Sequence, residues 1–381
     1  MGATPLDLVA DLQQVRQAVA HLRGPRDVVA LRALHLATWL ATLVGLGLAA
    51  WGLNPLSPLL LALAASTRWM VLGHHVCHGA LDGVPTTPPS WQSMRFARGW
   101  RRWWHWPDWI EADAWHREHN QLHHAYTNDP ADPDLVVLQA AFFRRTQMPM
   151  VLRYVLIAAL AMTWRWLYYA PNTAALAVHA TLQRHPAVPL FELAPRVKLW
   201  DPRTPAGHRL WLRSWLPNAA FWMVLLPLPL LALGLQVWAT ALAHVAIGGL
   251  LCNVQTFLVI VPNHAGDDLA VFSDRAVGKA QWLERQIRAS CNYRTGGWVN
   301  DWLHGWLNYQ IEHHLWPNLT LRQYAAAAPL VRAVCRKHGL PYVQQGIFRR
   351  VAKLAAVMVG AADQKRSEAP FVHDVVIARQ S

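Results

Sequence analysis

Charged side chains are scarce in this sequence: 15% of its 381 residues are Asp, Glu, Lys or Arg, where soluble proteins average about a quarter. Acidic residues are the scarcer sign, 22 against 35 Lys and Arg, for a net charge of +13. Hydrophobic residues make up 54% of the chain, Trp alone 22 of them, so a membrane protein is the better prior than a string of soluble domains. Cysteine is also rare. Cys77, Cys252, Cys291 and Cys335 are scattered, with neither paired metal spacing nor a disulfide framework, which excludes a thiolate metal site and places the water-facing parts in a reducing compartment. The N-terminus carries Asp7 and Asp11 and no early apolar core, which excludes a secretory signal. Internal repeats and low-complexity linkers are absent. The positive charge fits anionic lipid or an acidic protein partner; without a basic helix or RNA-type motif, nucleic acid is not expected.

Two stretches contain no Asp, Glu, Lys or Arg, residues 33–67 and 214–266, and a membrane helix needs about 20 apolar residues. The first predicts one span over Ala33–Leu53 and, after the turn "NPLSP", a second through Arg68 to about His78. The second predicts spans over Trp215–Leu233 and Thr240–Pro262, turning at "GLQVWA". "YVLIAALAMTW" (Tyr154–Trp164) is apolar but bracketed by Arg153 and Arg165; as it is too short to cross, it is expected to lie at the interface. "RGWRRWWHWPDW" (Arg98–Trp109) has the composition of an anchor at head-group depth, which requires lipid contact and no chemistry. Neither hairpin turn has Lys or Arg, whereas the termini and the segment Asp82–Arg213 are Arg-rich, so these are expected in the cytoplasm.

The expectation is an all-α integral membrane protein: four transmembrane helices in two hairpins, capped by a cytoplasmic helical region. Its parts are a cytoplasmic N-terminal segment (1–32), a first hairpin (33–80), a cytoplasmic and interfacial region (81–213), a second hairpin (214–262), a cytoplasmic region (263–350) and a tail (351–381).

Ten of the 20 histidines fall just beyond the predicted membrane ends, in "GHHVCHG" (His74, His75, His78), "WHREHNQLHHAYTND" (His116, His119, His123, His124), "VPNHAGDD" (His264) and "NYQIEHHLWPN" (His313, His314). His74 and His78, and likewise His119 and His123, are four apart and share a helical face, with His116 extending the second stripe. Gln310 precedes His313 by three residues and His314 by four, so all three point one way while Ile311 and Glu312 turn elsewhere. Neutral imidazole suits iron, zinc, copper and nickel, and more convergent histidines than one ion can use imply two ions. Iron is preferred, because a structural zinc closes with four ligands while a redox metal gives such a site an O2-linked role. Lone rings (His35, His179, His244, His338) are more often satisfied or interfacial than ligands. His75, His105, His116 and His304 exceed the minimum and read as donors behind the ligands or polar neighbours.

With these motifs in hand, the sequence resembles the membrane fatty acid desaturases, a family marked by three histidine boxes on a four-span scaffold. The H-x-x-x-H box matches His74 and His78, the H-x-x-x-H-H box matches His119, His123 and His124, and the third matches Gln310, His313 and His314; a separate histidine after the fourth span matches His264. "GWLNYQIEHHLWPN" and "PLVRAVCRKHGLPY" are similar to the front-end branch. The resemblance implies two irons held by these eight histidines, with Gln310 bound directly or through water, and O2 as co-substrate. It also implies an acyl-lipid or acyl-CoA substrate and a ferredoxin or cytochrome b5-type donor, which must come from outside because the H-P-G-G haem motif of many front-end enzymes is missing. His75 stands where the first box usually has Asp, and Gln310 where other branches have His. Two other readings use the same residues: a lipid hydroxylase or other di-iron mono-oxygenase, and a non-redox metal-binding membrane transporter. The transporter is disfavoured because such proteins place ligands near the bilayer midplane, and only His35 and His244 lie inside the predicted spans.

Overall fold

The computed structural model describes residues 5–178 and 187–367; His179 lies outside them. The described chain is mostly helical, and its one sheet pairs Ala270–Phe272 in parallel with Lys365–Ser367. Five helices are long and apolar enough to cross a membrane: Pro25–Trp51, Leu56–Cys77, Met150–Val178, Pro205–Leu233 and Leu235–Asn263.

Local chemistry sets their ends. Pro25 opens the first helix, where its missing N–H costs nothing, and the Asp27 carboxylate accepts the Gly24 N–H at 2.9 Å. The turn to the second helix has Gly52 at φ +79° and the Asn54 side-chain oxygen accepting the Ser57 N–H at 2.9 Å. The last two long helices meet at Gly234, φ +116°, so the second hairpin turns more tightly than "GLQVWA" implies, and helix resumes at Leu235.

The helix Leu56–Cys77 is the most enclosed of the five. It packs between Pro25–Trp51 and Leu235–Asn263, and close approach depends on small residues: a Cβ on Gly248 would lie 3.0 Å from Leu61 Cβ. Its Arg68 is buried and donates to Thr38 O at 2.8 Å and Thr42 Oγ1 at 2.7 Å, with the guanidinium over the Trp39 ring.

Two expectations change here. The apolar segment Tyr154–Trp164 does not stop at Arg165; helix continues to Val178, 29 residues in all, so length no longer excludes a crossing. Arg165 is accommodated because its guanidinium pairs with the Asp108 carboxylate, both buried, a pairing of residues 57 apart in sequence. Nor is the cluster Arg98–Trp109 simply an anchor. Trp100 and Trp104 are exposed, but Trp106, Arg102 and Asp108 are buried, and Trp106 packs so tightly on Gly73 that any Cβ there would meet its ring at 2.7 Å.

Candidate metal centre

Four chain segments bring the histidines to one place. The helix Leu56–Cys77 ends in His74, with His78 at its C-cap; Leu235–Asn263 leads directly into His264; His119, His123 and His124 lie on helix 112–126; and Gln310–Leu315 carries His313 and His314. Widened helical turns with i→i+5 bonding precede His74, at Thr67–Gly73, and run through the second box, at His116–His123. Such turns are rare and recur at functional sites, since they change which side chains share a face. Before the third box the chain passes Met70 at Gly305, φ +61°, where a Cβ would lie 2.5 Å from Met70 Cβ.

The donor nitrogens fall into two imidazole sets. His74, His78, His119 and His313 form one; His123, His264 and His314 form the other; within each set one nitrogen per ring lies within 4.8 Å of the rest. His124 sits between them, its ring centroid 4.7 Å from those of His78 and His313 and 4.4 Å from that of His314. Neighbours in sequence are divided: His313 and His314 turn about 100° apart on their helix, one to each set.

Four rings have Nδ1–H held by an oxygen, which turns Nε2 inward. His123 donates to Asp132 Oδ1 at 3.0 Å, His264 to Ala289 O at 3.3 Å, His313 to the Tyr324 hydroxyl at 3.1 Å and His314 to Gln286 Oε1 at 2.9 Å. The Tyr324 hydroxyl accepts because its own proton goes to the Pro317 and Trp316 carbonyls. Holding the outer nitrogen in this way sets tautomer and ring orientation for a metal on the inner one.

The inner nitrogens fit such an ion. Nε2 of His78, His313 and His314 are buried without a hydrogen-bond partner among the described residues, at about 1–3 kcal/mol each if left so. His74 Nε2 and His124 Nε2 stand 3.2 and 3.3 Å from His119 Nε2, nitrogen facing nitrogen. Burial first, and neighbouring imidazoles second, hold His78, His119, His124, His313 and His314 well below the ordinary histidine pKa; burial does the same for His264. Neutral rings with lone pairs turned inward are what imidazole-preferring transition metals bind.

The other candidates fall outside the two sets. His75 packs on His74 and donates through Nε2 to Gly305 O at 2.9 Å. His116 does not continue the stripe, because the widened turn carries it away, and its Nδ1 accepts from the Asn120 amide at 2.9 Å. His105 stacks on Phe96 and His304 bonds Asn300 O. His35 packs edge-on against Trp91 and Trp104, His244 accepts the Asn54 N–H, and His338 bonds Asp11.

Gln310 is on the site, its amide nitrogen 2.8 Å from His264 Nε2 and its oxygen buried without a partner among the described residues. An amide is a weaker ligand than imidazole. Gln310→Ala is therefore expected to lose less activity and less metal than His314→Ala, and Gln310→His to keep its metal. Metal per protein and turnover measured for all three decide it; equal loss in Gln310→Ala and His314→Ala would show an obligatory ligand.

The sequence reading passed over several residues. Asp132 belongs to the acidic run "NDPADPD" just after the second box, a signal that was available; Gln286 and Tyr324 had none. Glu118, Asp134 and His119 form a third donor set. Burial, with Asp134 beside it, raises Glu118 well above the usual carboxyl range, and burial raises Asp134 as well; Tyr169 donates to Glu118 Oε2 at 3.0 Å.

His74, His119, His123, His264 and Gln310 also line a cavity whose other walls include Trp69, Met70, Trp164, Phe257, Leu307 and Met358. Asp134 is part of its wall.

The sequence model of the fatty acid desaturase family matches residues 49–346. Over 374 residues the chain is 27% identical to an NADPH-dependent stearoyl-CoA 9-desaturase of Mycobacterium tuberculosis, covering 92% of this chain and 79% of that protein. Shorter segments are more alike: 46% identity over 68 residues with a fatty acid desaturase 2-like protein of Mus musculus and 48% over 61 residues with fatty acid desaturase 3 of Bos taurus. These two matches span 18% and 16% of this chain but only 14% of each relative. The family match covers most of the chain and all four histidine-bearing segments, and the chain belongs to the fatty acid desaturase family.

Proposed function

We propose that the protein is a membrane-bound desaturase that inserts a double bond into an acyl chain, using O2 and a histidine-held di-iron centre. The observation that carries this reading is the meeting of two imidazole donor sets, members of both lying on the wall of a largely apolar cavity. His74, His78, His119 and His313 would hold one iron and His123, His264 and His314 the other, with His124 between them and Gln310 bound directly or through water. When bound, the irons supply the redox chemistry that lets O2 remove hydrogen from unactivated carbon.

The chain's own residues do the rest. An unactivated methylene offers no handle for acid–base chemistry, so rate depends on holding one stretch of acyl chain beside the donor sets. Trp69, Trp164 and Phe257 grip it and exclude water. Trp164 is itself oriented by donating its indole N–H to Asn253 O at 2.9 Å. The substrate class is acyl-CoA or acyl-lipid, as the stearoyl-CoA specificity in the mycobacterial relative's name supports. The electron donor is a ferredoxin or cytochrome b5-type carrier, attracted by the chain's net charge of +13.

The same convergence supports four crossings in two hairpins. His123 and His264 have ring centroids 4.9 Å apart, so an even number of crossings must separate the second box from His264. Three candidate helices intervene, and we assign Met150–Val178 to the membrane surface, because a charged side chain at its middle, Arg165, is tied to Asp108. The donor sets and both termini then share the cytoplasmic side, which the Arg-rich segments favour.

Acyl profiling of a host expressing the protein tests the reading. New species lacking two hydrogens are expected; species that gain one oxygen would make it a hydroxylase instead.

A further inference from the structure

A groove on the protein surface is lined by Arg294, Arg332, Arg349, Thr295, Gln344 and Gln345. No carboxylate is among its lining residues. The adjacent basic side chains Arg350 and Lys353 are already paired with Asp267 and Asp268, whereas the three groove arginines make no ion pair among the described residues. Three guanidinium groups without an ion-pair partner around one concavity favour an anion between them, and guanidinium's planar donors match the oxygens of a phosphate.

Part of the groove is preorganised. Arg332 bonds Gln344 Oε1 and stacks on Tyr342, and the Gln344 amide in turn donates to Tyr293 O at 2.9 Å and Thr295 Oγ1 at 3.1 Å. The wall is also tied to the third box. Both Glu312 oxygens face away from the imidazoles, one accepting from the Tyr342 hydroxyl and the other from the Asn292 amide, each at 2.9 Å. Asn292 then joins the wall segment through its backbone, donating to Val343 O and accepting from Gln345 N–H. On its other side, Ile347 packs with Met70, Val259 and Leu307. Met70 and Leu307 line the apolar cavity, so about one layer of side chains separates groove and cavity.

We infer that this groove is a phosphate-binding site that holds the phosphorylated carrier of the acyl chain. The inference rests on the desaturase reading for the identity of the chain and on the groove for the phosphate. Two sources share that chemistry: a soluble thioester carrier such as CoA, and a membrane phospholipid.

The test compares full-length protein with the double variant Arg294→Gln/Arg349→Gln in lipid nanodiscs. Both side chains are exposed and make no hydrogen bond among the described residues, so iron content should match the parent. The probes are stearoyl-CoA, stearoyl-N-acetylcysteamine, which is a thioester without phosphate, and vesicles containing phosphatidic acid. An affinity loss of about tenfold for stearoyl-CoA, with the phosphate-free thioester unchanged and kcat retained, establishes the soluble carrier. The same loss confined to phosphatidic acid vesicles establishes the lipid head group. Unchanged affinity for both phosphate probes, an equal loss for the phosphate-free thioester, or a loss seen only in the rate of reduction by an acidic electron carrier overturns the site. Phosphate binding that falls as described, in a protein that makes no unsaturated product, would leave the groove standing and sink the desaturase reading.

Discussion

Replacing His313 or His314 by alanine is expected to abolish turnover, to below about a thousandth of the parent, because removing an imidazole from a metal site disables the centre as a unit. The two substitutions should not be equivalent in metal content. His313 stands with His74, His78 and His119, whereas His314 stands with His123 and His264, so each variant should lose one iron preferentially and retain part of the other. Iron per protein, measured by elemental analysis on purified folded protein, distinguishes the cases. Full iron and turnover in either variant would end the assignment of that histidine. His338→Ala is the matched control: its ring is buried but bonds Asp11 on the N-terminal helix at 2.6 Å, remote from both sets. It is expected to lose about 1 kcal/mol of stability while turnover per folded molecule stays near normal.

The second large effect is expected at Asp132. This fully buried carboxylate accepts from His123 Nδ1–H at 3.0 Å, from the Asp134 N–H at 2.9 Å and from the Asn128 N–H at 2.8 Å. Burial alone would depress the His123 pKa, but the Asp132 charge and its hydrogen bond more than offset that and raise it; His123 is the one ring of the two sets outside the membrane spans whose pKa moves up. A more basic ring is a better metal ligand. Asp132→Asn keeps the shape and removes the charge, so iron affinity should fall about 10- to 100-fold, measured by chelator competition, with the secondary structure intact by circular dichroism. Unchanged affinity would mean that Asp132 only caps the 128–134 turn. Asp132→Ala should be worse on both counts, because it also strands the two backbone N–H groups.

Some of this was legible without coordinates because it depends on local backbone geometry. A run of uncharged residues long enough to cross a bilayer is a property of adjacent residues, and all four predicted spans correspond to long apolar helices. Histidines four apart share a helical face whatever lies elsewhere, which is why His74 with His78, and His119 with His123, could be picked out in pairs. Gln310 with His313 and His314 followed from the same rule.

The rest depends on what packs against those faces. His119 and His123, stacked at 5.2 Å, go to different donor sets, and no spacing rule says so, because the third and fourth partners come from His264 and the 310–315 helix. His116 obeys the same spacing and lies off the site, since the turn beneath it is widened. The acceptors that orient the rings, Gln286 and Tyr324, and the Asp108 that allows Arg165 to sit in a continuous helix, are reached only across tertiary contacts. Sequence by itself determined the family, the apolar helices and the pool of donors, because those are written in local period and composition. The division of that pool into two sets, the apolar cavity and the arginine groove were decided by the tertiary structure alone, because each is assembled from side chains that become neighbours only when distant helices close on one another.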